Sequence, residues 1–331
     1  MLAGDTAQTI AVGVGFRFTD VRRVFFEKFG SKKPELLSLF HNYRSHAGVL
    51  RLAASVLDLL YTYFPFSLDL MPPDQGLFDG PKPVIMDISD LSELVLILEG
   101  SKRETARIEF GAHQVVIVRN ENAKEKVCQQ YNIDKEWIMT VQQSKGLEFD
   151  DVLLYNFFTD SDASDMWRVF TGYSKEDMEI LHAKMEKENS RLGHLSLYVG
   201  DHAWDDKLDL LQTRPLPFDE EKHKILENEL KMLYTAITRA RVNVFFAESD
   251  INGVCRPVFN YFMRRQVVDD VKKALQDKNE NLRVFGNTST TEDWQKQGEI
   301  YLQKANGDQA KRMLNLAMKC FVSCFLVLGM L

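Results

Sequence analysis

Four short apolar runs separated by helix-period segments constrain this chain more than any other feature. Lys82 to Ile88, Gln114 to Val118, Val152 to Phe158 and Val242 to Ala247 read as strands, and the first two are each followed by a helical stretch. Strands that alternate with helices imply a mostly parallel sheet with helices on both faces, because parallel neighbours are joined by long crossovers that cover the sheet. The expected class is α/β. A chain of 331 residues with 45% hydrophobic and 11% aromatic content can bury a large core and is expected to hold two units.

The segment before the last strand is the richest in chemistry. In Asn228 to Arg241, "NELKMLYTAITRAR", Leu230, Leu233, Tyr234 and Ile237 recur at i, i+3, i+4 and i+7, one apolar stripe of a buried-face helix. The helix traces back to Asp219 as N-cap, with Glu220 and Glu221 at the positive end of its dipole. Arg239 and Arg241 at its end can simply complement the negative end of that dipole.

Three further segments place polar side chains where loops can meet a ligand. Leu2 and Ala3 followed by Gly4-Asp5 read as a strand breaking into a loop in which Gln8 can face outward. Leu36 to Phe40 reads as a short buried strand leading, through Asn42, Arg44 and Ser45, into a helix from about His46 to Leu60. Such a junction favours anions, and the planar fork of Arg44 suits either a phosphate or a structural carboxylate. Trp137 to Val141 reads as a strand and Gln142 to Gly146 as a polar turn before the next strand. There Gly146 permits close backbone approach, Lys145 offers a point charge for phosphate, and Glu148 can accept from a ribose hydroxyl.

These four segments, in this order, resemble the last motifs of UvrD/Rep-type superfamily 1 helicases. "GDTAQTIA" at Gly4 to Ala11 looks like the third motif, "LFHNYRS" at Leu39 to Ser45 the fourth, "TVQQSKGLEFD" at Thr140 to Asp150 the fifth, and the helix ending in Thr238-Arg239 the last. The resemblance implies a RecA-like sheet. It also implies that Gln8 senses the γ-phosphate of ATP, Arg44 clamps the phosphates and Arg239 is an arginine finger, with Gly146 and Glu148 beside the nucleotide. Thr140, Gln142, Lys145 and Thr238 are the implied contacts to single-stranded nucleic acid, DNA ahead of RNA. The family commonly has histidine at the position of Gln142, a change that keeps hydrogen bonding and removes a titratable role.

No Gly-Lys-Ser or Gly-Lys-Thr occurs in the sequence. The phosphate-cradling loop and the acidic magnesium motif of such a motor precede its third motif, so the chain is expected to be a C-terminal half that acts on ATP and magnesium held by an upstream half of the same polypeptide. Alone it is expected to bind nucleotide weakly. The alternative is a non-catalytic helicase-fold scaffold or protein-interaction module.

The net charge of −7 argues against a general basic nucleic-acid binder, though not against a local groove. Arg22, Arg23, Lys28, Lys32 and Lys33, interleaved with Phe25, Phe26 and Phe29, read as a solvated helix face over a core stripe. Cys128, Cys255, Cys320 and Cys324 show neither metal-ligand nor disulfide spacing, which points to a reducing intracellular compartment, nucleus or cytoplasm.

The stretch between the fifth and last motifs, about 159–218, is polar and charged and reads as a helical surface excursion. A helix is expected over about Pro257 to Asp277. Beyond it, Trp294, Gly298, Tyr301, Ala310 and Ala317 fall at tetratricopeptide-repeat spacing, with Gln297 in place of the usual leucine; a plain helical hairpin fits the pattern as well. The apolar run Cys320 to Leu331 is shorter than the roughly 20 residues that span a bilayer. The expected units are a remnant of the first RecA-like domain (1–34), a second RecA-like domain (35–250), a helical linker (251–292) and a truncated all-helical tail (293–331) available to a protein partner. A tetratricopeptide-like tail behind this core is similar to the animal TPR and ankyrin repeat-containing protein family.

Overall fold

The computed structural model describes residues 3–11, 14–30, 37–89, 112–131, 135–191, 203–208, 213–270, 289–305 and 310–327. A 3₁₀ turn at Thr6–Gln8 precedes α1 (Phe18–Phe29), then β1 (His41–Asn42), α2 (Ala47–Tyr63), β2 (Gln75–Gly76) and β3 (Val84–Asp87). β4 (Gln114–Val118), α3 (Glu121–Tyr131), β5 (Ile138–Thr140), the one-turn α4 (Val141–Ser144) and β6 (Phe149–Tyr155) follow. The chain continues through α5 (Lys175–Arg191), α6 (Lys224–Ile237), β7 (Ala240–Glu248), α7 (Arg256–Arg264) and β8 (Asp269–Asp270) to α8 (Thr291–Gln303) and α9 (Ala310–Val327).

Among the described residues six strands form one sheet in the order β5-β4-β6-β7-β3-β8, and every neighbouring pair is parallel. The α/β expectation is met. The connection from β4 steps outward to β5, whereas those from β6 to β7 and from β7 to β8 step the opposite way. With right-handed crossovers, that reversal puts α3 on one face and α6 and α7 on the other. Val115, Val116, Ile117 and Val118 are all fully buried, as a central parallel strand covered on both faces requires.

Several elements depart from the sequence reading. Leu37 and Leu39 are 76% and 95% exposed, and the strand pairing begins after them, at His41–Asn42 against Gln75–Gly76. Hydrophobicity alone does not bury a segment whose neighbours lie elsewhere. For the same reason the phenylalanines of α1 cover no core: none of its residues is buried, and Phe29 is 68% exposed. The helix is nonetheless anchored, because Asp69 accepts from the backbone N–H groups of Phe18 and Thr19.

The excursion between β6 and β7 is more than a surface feature. Trp167 and Phe170, on a 3₁₀ helix at Ser164–Gly172, are buried, and the Trp167 ring lies 5.0 Å edge-on from that of Phe158. Its α5 is tied in by His182 and by Asp58, which Arg265 also bonds at 2.9 Å. A polar sequence concealed a few aromatics that carry the packing.

Three boundaries also move. The last-motif helix starts at Lys224, because Asp219 to His223 form a turn in which Asp219 caps Lys222. The helix expected from Pro257 ends at Arg264, and Gln266 takes a positive φ of 53° before β8 joins the edge of the sheet. Residues 142–146, read as a turn, begin as α4, since Thr140 and Gln143 form a reciprocal capping box. The helical stretch expected after β3, Lys32 and Lys33, Leu36, residues 271–277 and the chain end at 328–331 lie outside the described residues.

α8 and α9 pack as a helical pair. A Cβ at Gly298 would approach the Phe321 ring at 3.0 Å, so a small residue is what permits the contact. Trp294, Tyr301 and Ala317 are buried. No helix among the described residues is long and apolar enough to cross a membrane.

Candidate functional site

Local sequence converges four distant segments on one spot. α6 buries the expected stripe Leu230, Leu233, Tyr234 and Ile237 and is enclosed on its other faces too, every residue from Glu229 to Ile237 being buried, so its C-terminus is fixed at the end of the sheet where β6 and β7 begin. Thr238 ends it, its hydroxyl donating to the Tyr234 and Thr235 carbonyls, and Arg239 follows immediately before β7. The start of α2 is pinned to the same place. The Ser45 hydroxyl donates to Ala240 O at 2.6 Å, and His46 Nδ1 accepts from the Gly48 N–H, which leaves Nε2–H to donate to Val242 O. Those bonds carry Arg44 to the mouth of the site.

Arg239 is 2% exposed and meets only neutral oxygens. Its guanidinium donates to Thr235 O at 2.9 Å, Leu147 O at 3.2 Å, Gln8 Oε1 at 3.0 Å and the Thr238 hydroxyl at 3.2 Å. Gln8 is held from its other end as well, since its Nε2 donates to Asp5 at 2.9 Å. A flipped amide would face donor to donor and acceptor to acceptor, so both partners fix the same orientation. Burial, and then the neighbouring Arg44, lower the Arg239 pKa to about 10. Burial likewise raises the Asp5 carboxyl above its ordinary value, against the bonds it receives from Ala7 and Gln8.

Arg44 pairs with Glu148 at 2.6 Å, both side chains rather more than one-third exposed. An ion pair that exposed is worth about 0–1 kcal/mol, so it can open at little cost for a stronger acceptor. Glu148, expected at a ribose, therefore has an arginine as its partner here. Gly146 has φ +83° with nothing within 4 Å of its Cβ position, and exposed Lys145 donates to Gln8 O at 2.9 Å. The Thr140 hydroxyl caps α4, whereas Gln142 is exposed.

The structure thus brings Gln8, Arg44, Lys145, Gly146, Glu148 and Arg239 together, with Thr238 adjoining, whereas Thr140 ends β5 at the carboxyl edge of the sheet, level with Val118, and Gln142 follows it on α4. The cluster sits at the amino ends of β6 and β7, not at the carboxyl edge where open parallel sheets usually bind ligands. Among the described residues no group of three or more His, Cys, Asp or Glu side chains is arranged to hold a metal. Two guanidinium groups and an ammonium can take an anion with several oxygens once Arg44 leaves the Glu148 carboxylate.

Residues 81–250, about half of the chain, match the model of the UvrD-like helicase C-terminal domain. The chain belongs to that family. The UvrD-like match starts just before β3 and ends just after β7, so it takes in Arg239 and the turn 144–148, whereas Gln8 and Arg44 precede it. The human TPR and ankyrin repeat-containing protein 1 is 43% identical over 309 residues, covering 91% of this chain. The chain spans only 10% of that relative's length. A solved C-terminal domain of a possible DNA helicase from Lactobacillus plantarum is 13% identical, covering 69% of this chain and 98% of its own, with a TM-score of 0.30 too low to inform the fold.

Three contributors escaped the sequence reading. Asp5 orients Gln8, and its place three residues before a candidate glutamine was the available signal. Leu147 serves through its backbone carbonyl, which no residue type reveals. Lys304, from α8, donates to Gly146 O at 2.9 Å across 158 residues, a partnership without local signature.

Proposed function

We propose that this chain is the C-terminal half of an ATP-driven nucleic-acid helicase or translocase, contributing γ-phosphate sensing and an arginine finger. The observation that carries the reading is the 3.0 Å bond between Arg239 and Gln8, which joins the proposed finger to the proposed sensor across 231 residues. Arg239 loses solvation on burial and has neutral acceptors, so a phosphate oxygen is a better partner than any it now has. Arg44 would move from Glu148 to the phosphates, leaving Glu148 available to a ribose hydroxyl.

ATP is the proposed nucleotide. Its magnesium is assigned to an upstream half of the same polypeptide, which would carry the phosphate-cradling loop and the acidic metal motif. Bound to ATP, that ion would neutralise charge between the phosphates, while this chain orients the terminal phosphate through Gln8 and stabilises its developing charge through Arg239. Thr140, Gln142, Lys145 and Thr238 are proposed to face a single strand, DNA ahead of RNA, and the tail to offer a tetratricopeptide-like surface to a protein partner.

Two measurements test this. This chain alone should show no saturable ATP binding tighter than roughly 1 mM, since an arginine finger acts on a nucleotide held elsewhere. Joined to an ATP-binding half with an intact Gly-Lys-Ser/Thr loop, it should support nucleic-acid-stimulated ATP hydrolysis. A joined, folded protein without hydrolysis would leave the helicase-fold scaffold as the correct reading.

A further inference from the structure

Each position of the turn at residues 145–149 is held by a different part of the chain or by Arg239. Lys145 reaches Gln8 O, the Leu147 carbonyl takes Arg239 Nη1, Glu148 pairs with Arg44, and the Phe149 N–H donates to Arg239 O at 3.0 Å. Gly146 is held by the tail. The Lys304 ammonium donates to Gly146 O at 2.9 Å.

Lys304 is the C-cap of α8, and a lysine there can merely complement the helix dipole. It does more, because its backbone N–H already serves the Ile300 and Leu302 carbonyls while the side chain leaves the helix for the turn. The pair α8–α9 is seated to make that reach possible. The Trp294 ring lies 5.4 Å from that of Trp137, just before β5, and the Ala112 N–H donates to the Ser289 hydroxyl at 2.9 Å. Gly146, with a left-handed φ and no side chain to pack, has its carbonyl as its handle.

We propose that Lys304 is a positioning residue for the turn carrying Gly146 and Glu148, and that through it the C-terminal helical pair sets the geometry of the phosphate-facing site. The role assigned to that site rests on the function proposed above; the coupling itself does not. A partner protein that pulls α8 off Trp137 would withdraw the ammonium and loosen the turn. One that clamps α8 in place would hold the site assembled.

The test uses hydrogen exchange on the 331-residue chain. Lys304→Met keeps the stem and removes the donor, whereas Lys304→Arg keeps a cationic donor. Exchange across residues 144–149 should rise about threefold to tenfold in the methionine variant, as expected for loss of one charge-assisted bond, and return to within about twofold in the arginine variant. Exchange in β4 should stay unchanged. Equal exchange in all three proteins, or a rise in β4 as large as that in the turn, overturns the proposal. Because no nucleotide is needed, this result is separate from the ATPase reading. In the joined polypeptide Lys304→Met should lower kcat for ATP hydrolysis about threefold to tenfold with the KM for ATP within about twofold, and Lys304→Arg should restore it. A joined protein that hydrolyses ATP but whose kcat ignores both substitutions also overturns it.

Discussion

Arg239 and Glu248 are both buried ionisable residues, and their surroundings differ in what they leave available to a ligand. Arg239 is given four neutral hydrogen-bond acceptors, with Arg44 nearby and the Glu148 and Asp5 carboxylates acting against it only at a distance. Glu248 accepts from the Phe158 and Thr159 N–H groups, the Thr159 hydroxyl and the Cys255 thiol, so its lone pairs are used inside the fold. Burial pushes its pKa from 4.5 to about 7. Between those values rising pH removes a proton from the unfolded chain before the folded one, so the stability Glu248 contributes at pH 4.5 is lost by about pH 7. Glu248→Gln should flatten this part of the profile. Urea unfolding should find wild type losing roughly 1–3 kcal/mol relative to the variant between pH 5 and pH 8; a difference independent of pH would contradict the assignment. At this scale the motif wording points to the candidate residues but not to those of their partners that are backbone atoms common to every residue type, Gln8 O, Leu147 O and Gly146 O.

At the scale of elements, capping and periodicity were read with mixed success for identifiable reasons. Gln114–Val118 was found without error because a strand buried on both faces is an unbroken apolar run. α4 was missed because four residues give no period, although Thr140 and Gln143 have capping-box spacing. Thr140→Ala should destabilise the chain by about 1 kcal/mol by removing one half of that box, with Thr140→Ser nearly neutral. Chemical denaturation distinguishes the two, and equal losses would refute the capping role. The 159–218 segment was misread because its charge outweighs Trp167 and Phe170 in any average over the window. Trp167→Ala should cost about 3–5 kcal/mol, the usual loss for a fully buried large aromatic, whereas alanine at exposed Ile180 on α5 should change stability by less than about 0.5 kcal/mol. Comparable midpoints for the two variants would show that the excursion does not share the core.

For the whole molecule, the parallel sheet followed from alternating strands and helices, but the position of the site on it did not. The reversal of strand order directs attention to the carboxyl edge, yet the last-motif helix runs into β7 and the turn at 145–149 runs into β6, so the candidate residues they carry meet at the amino edge. Contacts between sequence positions as distant as Gln8 and Arg239 arise from topology, which no local window encodes. The same topology lets a helical tail touch the turn through Lys304 and gathers Arg44, Lys145 and Arg239 near Gln8 at the amino edge. The most direct measurement is nucleic-acid-stimulated ATP hydrolysis by the joined polypeptide, comparing Arg239→Ala with Arg241→Ala. Arg241 is about half exposed and lies 3.5 Å from Asp150, so it supplies a surface control two residues away. With folding verified for both, Arg239→Ala should lower kcat roughly 10³-fold or more and Arg241→Ala by no more than about twofold. Hydrolysis that persists in Arg239→Ala at the level of Arg241→Ala would contradict the arginine-finger role.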